Sequence, residues 1–215
     1  MMNTQHYPFT LIPLAYAYDA LEPYIDATTM QLHHDRHLQT YIDNLNATLA
    51  DYPAYHAWNL ERLLQNINWL PEAIRTPVKR NAGGVYNHNL FFAGLTPTPD
   101  TQPSEPLAQA FSQTFGHGDA FKETLKTQAL SVFGSGYAWL VSDAAGTPRI
   151  LTTPNQDTPL ALDVVALMLI DVWEHAYYLH YYNKRADYID GWFHVADFVA
   201  ASRRYEEILH NSPSQ

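Results

Sequence analysis

Three histidines and one aspartate stand in separated stretches whose donor types suit a metal shell: His33 in TMQLHHDRH, His88 in GGVYNHNLFF, and Asp171 with His175 in DVWEHAYY. Imidazole nitrogen is a borderline donor and carboxylate oxygen a hard one, a mixture that suits a redox transition metal. The chain has no cysteine, which excludes disulfides, thiolate zinc sites and iron–sulfur clusters together. Such a shell implies an enzyme. Neighbouring residues on a helix face roughly 100° apart, so only one of His33 and His34 can reach a shared site. His37 lies one turn beyond His33 and Tyr41 one turn further, so both can line the same channel. Asp171 and His175 are four apart, a spacing that one helix face or a strand end running into a helix start would each accommodate. The bland role for Asp171 is a helix N-cap, but the apolar run before it makes an uncompensated carboxylate expensive there.

The elements that must carry these groups belong to a chain of 215 residues, 47% hydrophobic and 16% charged, enough for two modest lobes that share a core. A net charge of −10 argues against nucleic acid or an anionic membrane as partner, and an anionic substrate would need a local basic funnel. The opening stretch lacks a basic region followed by an unbroken apolar one, so no signal peptide is expected and the cytoplasm is the expected compartment. The most apolar run, Leu160 to Ile170, is too short to span a membrane and is interrupted by Asp163.

In TPTPDTQPSEP, Thr96 to Pro106, four of the fourteen prolines fall within eleven residues, which marks a linker. Residues 1–95 before it show helical spacing only: Met30, His33, His34, His37 and Tyr41, then Leu60 through Leu70 before Pro71. After it, Gln109 to Leu130 reads as helix. Short β-rich runs follow at Tyr137–Val141, Ile150–Thr153 and Val164–Ile170, separated by DAAGTP and NQDTP turns. Glu174 to Tyr182 and Trp192 to Ile208 return to helix. The expected architecture is α+β: an N-terminal helical hairpin domain, then a C-terminal α/β domain over 107–215 with a small three-stranded antiparallel sheet flanked by helices. Gly83 and Gly84 lie inside the helix leading to His88, where each costs about 1 kcal/mol relative to Ala, so something must require the missing side chains.

HHDRHLQTY, NAGGVYNHNLFF, FGSGYAWLV, NQDTPL and DVWEHAYYLHYYNKRADYID, in this order and preceded by Ile12–Pro13–Leu14 and AYAYDALEPYID, closely resemble the iron/manganese superoxide dismutase family. The resemblance runs from about Tyr7 to Ile208 and implies dismutation of superoxide to oxygen and hydrogen peroxide at a mononuclear metal, one per subunit. It assigns His33, His88, Asp171 and His175 as ligands, and His37 and Tyr41 as the gate. It places Gln156 as the donor to the solvent ligand, and makes Phe92, Tyr137, Trp139 and Trp173 the walls. Glu174 and Tyr178 are expected to reach the site of a second subunit, so a homodimer, or a tetramer of such dimers, is expected. Three neutral imidazoles and one carboxylate around a divalent ion leave about one net positive charge, which attracts a small anion. Arg36, Lys184 and Arg185 are the candidates for the basic funnel. Iron-type members commonly carry a Gln at the position of Gly84, whereas manganese-type members keep it small and bring the Gln from a later turn. Gln156 is therefore expected to reach in over Gly84, which favours manganese, with iron or use of either metal as alternatives.

The chain departs from the family pattern at several places. Tyr24 and Leu38 stand where His is frequent, and Phe92 and Tyr137 where Trp is usual. Val85–Tyr86 after the glycines is more iron-like, while Arg80 replaces Asn and Ala186 a Pro. None removes a ligand. A zinc hydrolase lacks support because there is no H-E-x-x-H, and a di-iron bundle because there is no pair of Glu-x-x-His motifs. A catalytically silent, metal-binding relative is the remaining alternative.

Overall fold

The computed structural model describes residues 4–116 and 118–211. Helix α1, Ala27–Leu32, starts where Asp26 Oδ1 accepts the Thr29 N–H at 2.9 Å. It continues without a break through a π-helical turn, His33–Leu38, into α2, Gln39–Leu49. Leu38, Ile42, Leu45 and Leu49 form its buried stripe and pack against the long helix α4, Glu72–Phe92. Between them lies α3, Leu60–Gln65. The expected helix to Leu70 stops short because Asn66 leaves the helical region and donates its side-chain amide to Arg62 O at 2.9 Å. A 3₁₀ turn, Ile67–Trp69, completes the segment.

The proline-rich stretch is pinned rather than free. Thr96 N donates to Val195 O at 2.9 Å, Asp100 N to His194 O at 2.9 Å and Ser104 N to Ser202 Oγ at 2.8 Å. Helix α5, Glu105–Phe115, already includes Pro106 in its first turn, where the missing N–H costs nothing. The single helix expected from Gln109 to Leu130 is two, α5 and α6, Gly118–Ser131, parted by Gly116 at φ 94°.

Strands β1, Gly136–Ser142, β2, Pro148–Pro154, and β3, Val165–Asp171, form an antiparallel sheet in the order β2-β1-β3. Its register sets Tyr137 opposite Asp171 on one side and Thr153 on the other. A 3₁₀ turn, Glu174–Ala176, and helix α7, Tyr178–Tyr181, then lead into α8, Arg185–Val195, and α9, Phe198–Asn211. The last helix was expected to be continuous from Trp192. Instead Ala196 turns extended and bridges Leu95, and Asp197 Oδ1 accepts the Ala200 N–H at 2.9 Å as the cap of α9. Arg204 on α9 fastens the two lobes, donating to Leu167 O of β3 at 2.7 Å and to Ala93 O at the end of α4 at 3.1 Å. Among the described residues no helix is long and apolar enough to cross a membrane.

Candidate metal centre

The helix carrying His33 sets its pattern through the π turn, a distortion frequent at functional sites. His33, His37 and Tyr41 line one side, with ring centroids 6.1 Å apart for the first pair and 5.0 Å for the second. His34 points the other way, its ring held between Ile12 O, 2.8 Å from Nε2, and Asp35 Oδ1, 2.7 Å from Nδ1. Only His33 enters the site.

Helix α4 brings His88, whose Nδ1–H donates to Gly84 O at 2.7 Å. That bond fixes the tautomer and leaves the Nε2 lone pair facing inward. Strand β3 ends on Asp171, whose Oδ1 accepts the Trp173 N–H at 2.8 Å while Oδ2 faces the same point. His175 follows on the 3₁₀ turn, so the strand-to-helix route delivers this pair. Asp171 Oδ2 lies 3.4 Å from His33 Nε2, 3.9 Å from His88 Nε2 and 3.3 Å from His175 Nε2. His33 Nε2 and His175 Nε2 are 3.2 Å apart, and all four donors lie within 4.8 Å of one another.

The four pair distances from 3.2 to 3.9 Å fall in the range that one shared ion sets. Donors about 2.1 Å from one ion stand about 3.0 Å apart at right angles, about 3.6 Å at 120° and about 4.2 Å across it. His88 Nε2 and Asp171 Oδ2 are fully buried without a hydrogen-bond partner among the described residues, a state that native interiors rarely leave uncompensated. Burial holds His33 at about 4 and His88 well below the ordinary histidine range, so both imidazoles are neutral near neutral pH and can offer a lone pair to a metal. Burial pushes the Asp171 carboxyl up, but the His175 and His33 nitrogens beside Oδ2 outweigh it and hold it ionised. The shell is therefore three imidazoles and one carboxylate.

Gln156 closes one side. Its Nε2 donates to the Tyr41 oxygen at 3.1 Å, and its Oε1 accepts from Asn87 Nδ2 at 3.0 Å and the Tyr137 hydroxyl at 2.9 Å. The expected seat of Gln156 over Gly84 needs correction. A Cβ on Gly84 would lie 2.5 Å from Tyr41 Cγ, whereas a Cβ on Gly83 would lie 2.2 Å from Gln156 O. Both glycines are thus demanded by close approach, but Gly84 makes room for the Tyr41 ring and Gly83 for the Gln156 backbone.

Phe92 packs 5.1 Å from the His33 ring, Tyr137 6.4 Å from His88 and Trp173 5.5 Å from His175. Trp139 stands behind this wall, 5.9 Å from Tyr137, and donates to Thr153 Oγ1 at 2.9 Å. A cavity of about 410 Å³ opens in front, lined by Leu32, Arg36, His37, Tyr178 and Leu179 among others. Burial holds His37 at about 4, with His175 and His33 reinforcing the effect.

Two of the three expected steering cations lie elsewhere. Arg185 spends its guanidinium on Val132 O at 2.6 Å and Gly134 O at 2.7 Å, and Lys184 is an exposed side chain 3.9 Å from Asp187. Neither lines the mouth, and Arg36 does. Glu174 is exposed and has no side-chain partner among the described residues. Asn87 was not foreseen. Its only signal in the sequence was its place beside His88.

A buried shell of three histidines and one aspartate, shared between a helical hairpin and an α+β lobe, defines a mononuclear redox-metal oxidoreductase. Residues 8–96 match the alpha-hairpin domain of iron/manganese superoxide dismutases, and residues 103–204 match the C-terminal domain of the same group. A manganese superoxide dismutase 1 of Leptolyngbya boryana is 47% identical over 202 residues, covering 93% of this chain and 82% of that one. A manganese superoxide dismutase of Thermus thermophilus is 45% identical, covering 94% of this chain and 98% of its own. A relative from Methylomonas sp. named for both manganese and iron is 46% identical, covering 94% and 99%. The chain belongs to the iron/manganese superoxide dismutase family. Its activity is that of a superoxide dismutase, with a mononuclear manganese or iron site.

Proposed function

We propose that His33, His88, Asp171 and His175 hold manganese in this chain and that the surrounding residues run the dismutation as a proton-coupled cycle. The observation that carries this is the four-donor cluster itself, with two buried donors that no protein group satisfies. When bound, the metal would supply a one-electron couple for two half-reactions, in which one superoxide is oxidised to oxygen and a second is reduced to hydrogen peroxide. The second half-reaction consumes two protons, and the chain must deliver them. Gln156 Nε2 donates to the Tyr41 hydroxyl oxygen at 3.1 Å. Burial keeps the Tyr41 phenol above its ordinary range, against the opposing pull of the Gln156 hydrogen bond, so it holds a proton to give. His37 meets that phenol edge-on with ring centroids 5.0 Å apart and itself lines the cavity. Phe92, Tyr137 and Trp173 keep bulk water from the ligands, and Arg36 offers the positive charge that an anion meets first.

Support for manganese over iron is that the Gln comes from the turn after β2 and that Gly84 is occupied by the Tyr41 ring. The names of the relatives from Leptolyngbya and Thermus point the same way. Use of either metal is the alternative that the Methylomonas relative suggests. Metal analysis of the purified protein, with stopped-flow superoxide consumption on manganese- and iron-loaded samples, decides: iron-only activity sinks the manganese reading, and silence with both sinks the catalytic one.

The reading includes a homodimer formed at the cavity face, where Leu32, Tyr178 and Leu179 are exposed beside His37, whose buried Nε2 has no hydrogen-bond partner among the described residues. Tyr178 and Glu174 would complete the neighbouring subunit's site. Light scattering of the native protein and of E174A tests this, since a native monomer would remove it. The cytoplasm remains the proposed compartment, and 96–106 the proposed boundary between the lobes.

A further inference from the structure

The oxygen of Gln156 sits between donors from both lobes, Asn87 Nδ2 on α4 at 3.0 Å and the Tyr137 hydroxyl on β1 at 2.9 Å. An amide carries an acceptor at one end and two N–H groups at the other, so the end that receives the donors decides where the other end points. Nε2 is thereby left facing the Tyr41 oxygen at 3.1 Å. Tyr41 accepts from Gln156, which leaves its own O–H to act as a donor. Asn87 does not fix this sense alone, because it is an amide that can itself be turned end for end. Tyr137 is fully buried, and its hydroxyl donates to Gln156 Oε1 at 2.9 Å. A hydroxyl bonded to an amide carbonyl oxygen can only be the donor, and unlike Asn87 it has no second end to present.

We propose that Tyr137 is a positioning residue for dismutation: its hydroxyl locks the Gln156 amide in the sense that aims Nε2 at Tyr41, and so sets the direction of the proton relay. The position is one where the family resemblance leads one to expect an indole. An indole N–H can only donate, along one fixed direction, and here the phenol supplies the same donation from a different atom. The inference rests on the reading that Gln156 and Tyr41 serve the reaction.

Four proteins test it: the native chain, Y137F, Y137W and Y137F in a Q156A background. In metal-free, ¹⁵N-labelled native protein the two Gln156 side-chain N–H resonances should be distinct and slow to exchange. In Y137F they should broaden or exchange like those of a free amide. Turnover of the metal-loaded Y137F should fall about fivefold, the effect of losing one ordinary hydrogen bond, with KM unchanged. Y137W should recover both properties, and Y137F should add no loss when Gln156 is already Ala. Unchanged Gln156 resonances in Y137F overturn the proposal, as does an equal loss in the Q156A background. Circular dichroism on each variant separates misfolding from misorientation. Failure of the native protein to consume superoxide would count against the dismutase reading, while the resonances would still decide the role of Tyr137.

Discussion

Replacing Gly84 by Ala puts a methyl group into the face of Tyr41, at 2.5, 2.6 and 2.8 Å from ring atoms Cγ, Cδ1 and Cδ2. Carbon atoms rest about 3.5–4.0 Å apart, so the ring must retreat by about 1 Å. Because Cγ is the root of the ring, the phenol cannot escape by pivoting at its far end. Its oxygen, now 3.1 Å from Gln156 Nε2, moves to about 4 Å, beyond hydrogen-bonding range. Overpacking costs about 1–3 kcal/mol, and Ala recovers about 1 kcal/mol of helix propensity, so the net loss of stability is about 0–2 kcal/mol. For a chain of this size that lowers Tm by at most about 8 °C. Losing the Gln156–Tyr41 bond costs about 1 kcal/mol in the proton-delivering step, at least a fivefold fall in turnover. Gly83→Ala should be worse for stability, since its Cβ would meet the Gln156 carbonyl oxygen at 2.2 Å and a backbone atom cannot swing aside. The assay pairs calorimetry with stopped-flow superoxide consumption at matched metal content. A G84A protein that keeps native turnover, or a G83A protein more stable than G84A, would refute the assignment of the two glycines.

Asp171→Ala should leave far less than one metal per chain after loading while the far-ultraviolet circular dichroism persists, as read by elemental analysis; full occupancy would mean that the carboxylate is not a ligand. Metal-free protein should lose stability as pH falls from about 6.5 toward about 4, because His33 is held at about 4 by burial and the unfolded chain binds the extra proton in that window. Between pH 7 and pH 5 this group alone contributes about 2 kcal/mol, measurable by urea unfolding, and a flat profile would contradict the buried neutral ligand. Arg204→Met removes the donor shared by Leu167 O and Ala93 O, and should cost about 2–3 kcal/mol with little change in turnover per folded, metal-loaded molecule. An unchanged urea midpoint would show that the clamp between lobes is idle.

The four-donor cluster was legible because its members stand out by donor chemistry and by short local strings, neither of which needs the tertiary arrangement. The same holds for the strands, where β1 to β3 lie within a residue or two of the β-rich runs bounded by turn signals. What depended on rotation of one element against another was not legible. Two adjacent glycines on α4 differ in direction by roughly 100°, so which one faces Gln156 and which faces Tyr41 follows from how α4 is turned against α2 and the β2 turn. Arg185 looked like a free cation because its carbonyl partners, at Val132 and Gly134, lie some fifty residues away in the chain. The π turn at His33–Leu38 leaves no mark in composition, since its register is imposed by what the two flanking helical segments must bury. Tyr137 shows the converse. As an isolated letter it reads as a departure from an expected Trp, and only the distance from its hydroxyl to Gln156 reveals that a hydrogen-bond donor stands there. Substitution at a functional position is therefore weak grounds for doubting a site until one knows whether the replacement can put an equivalent atom in the same place.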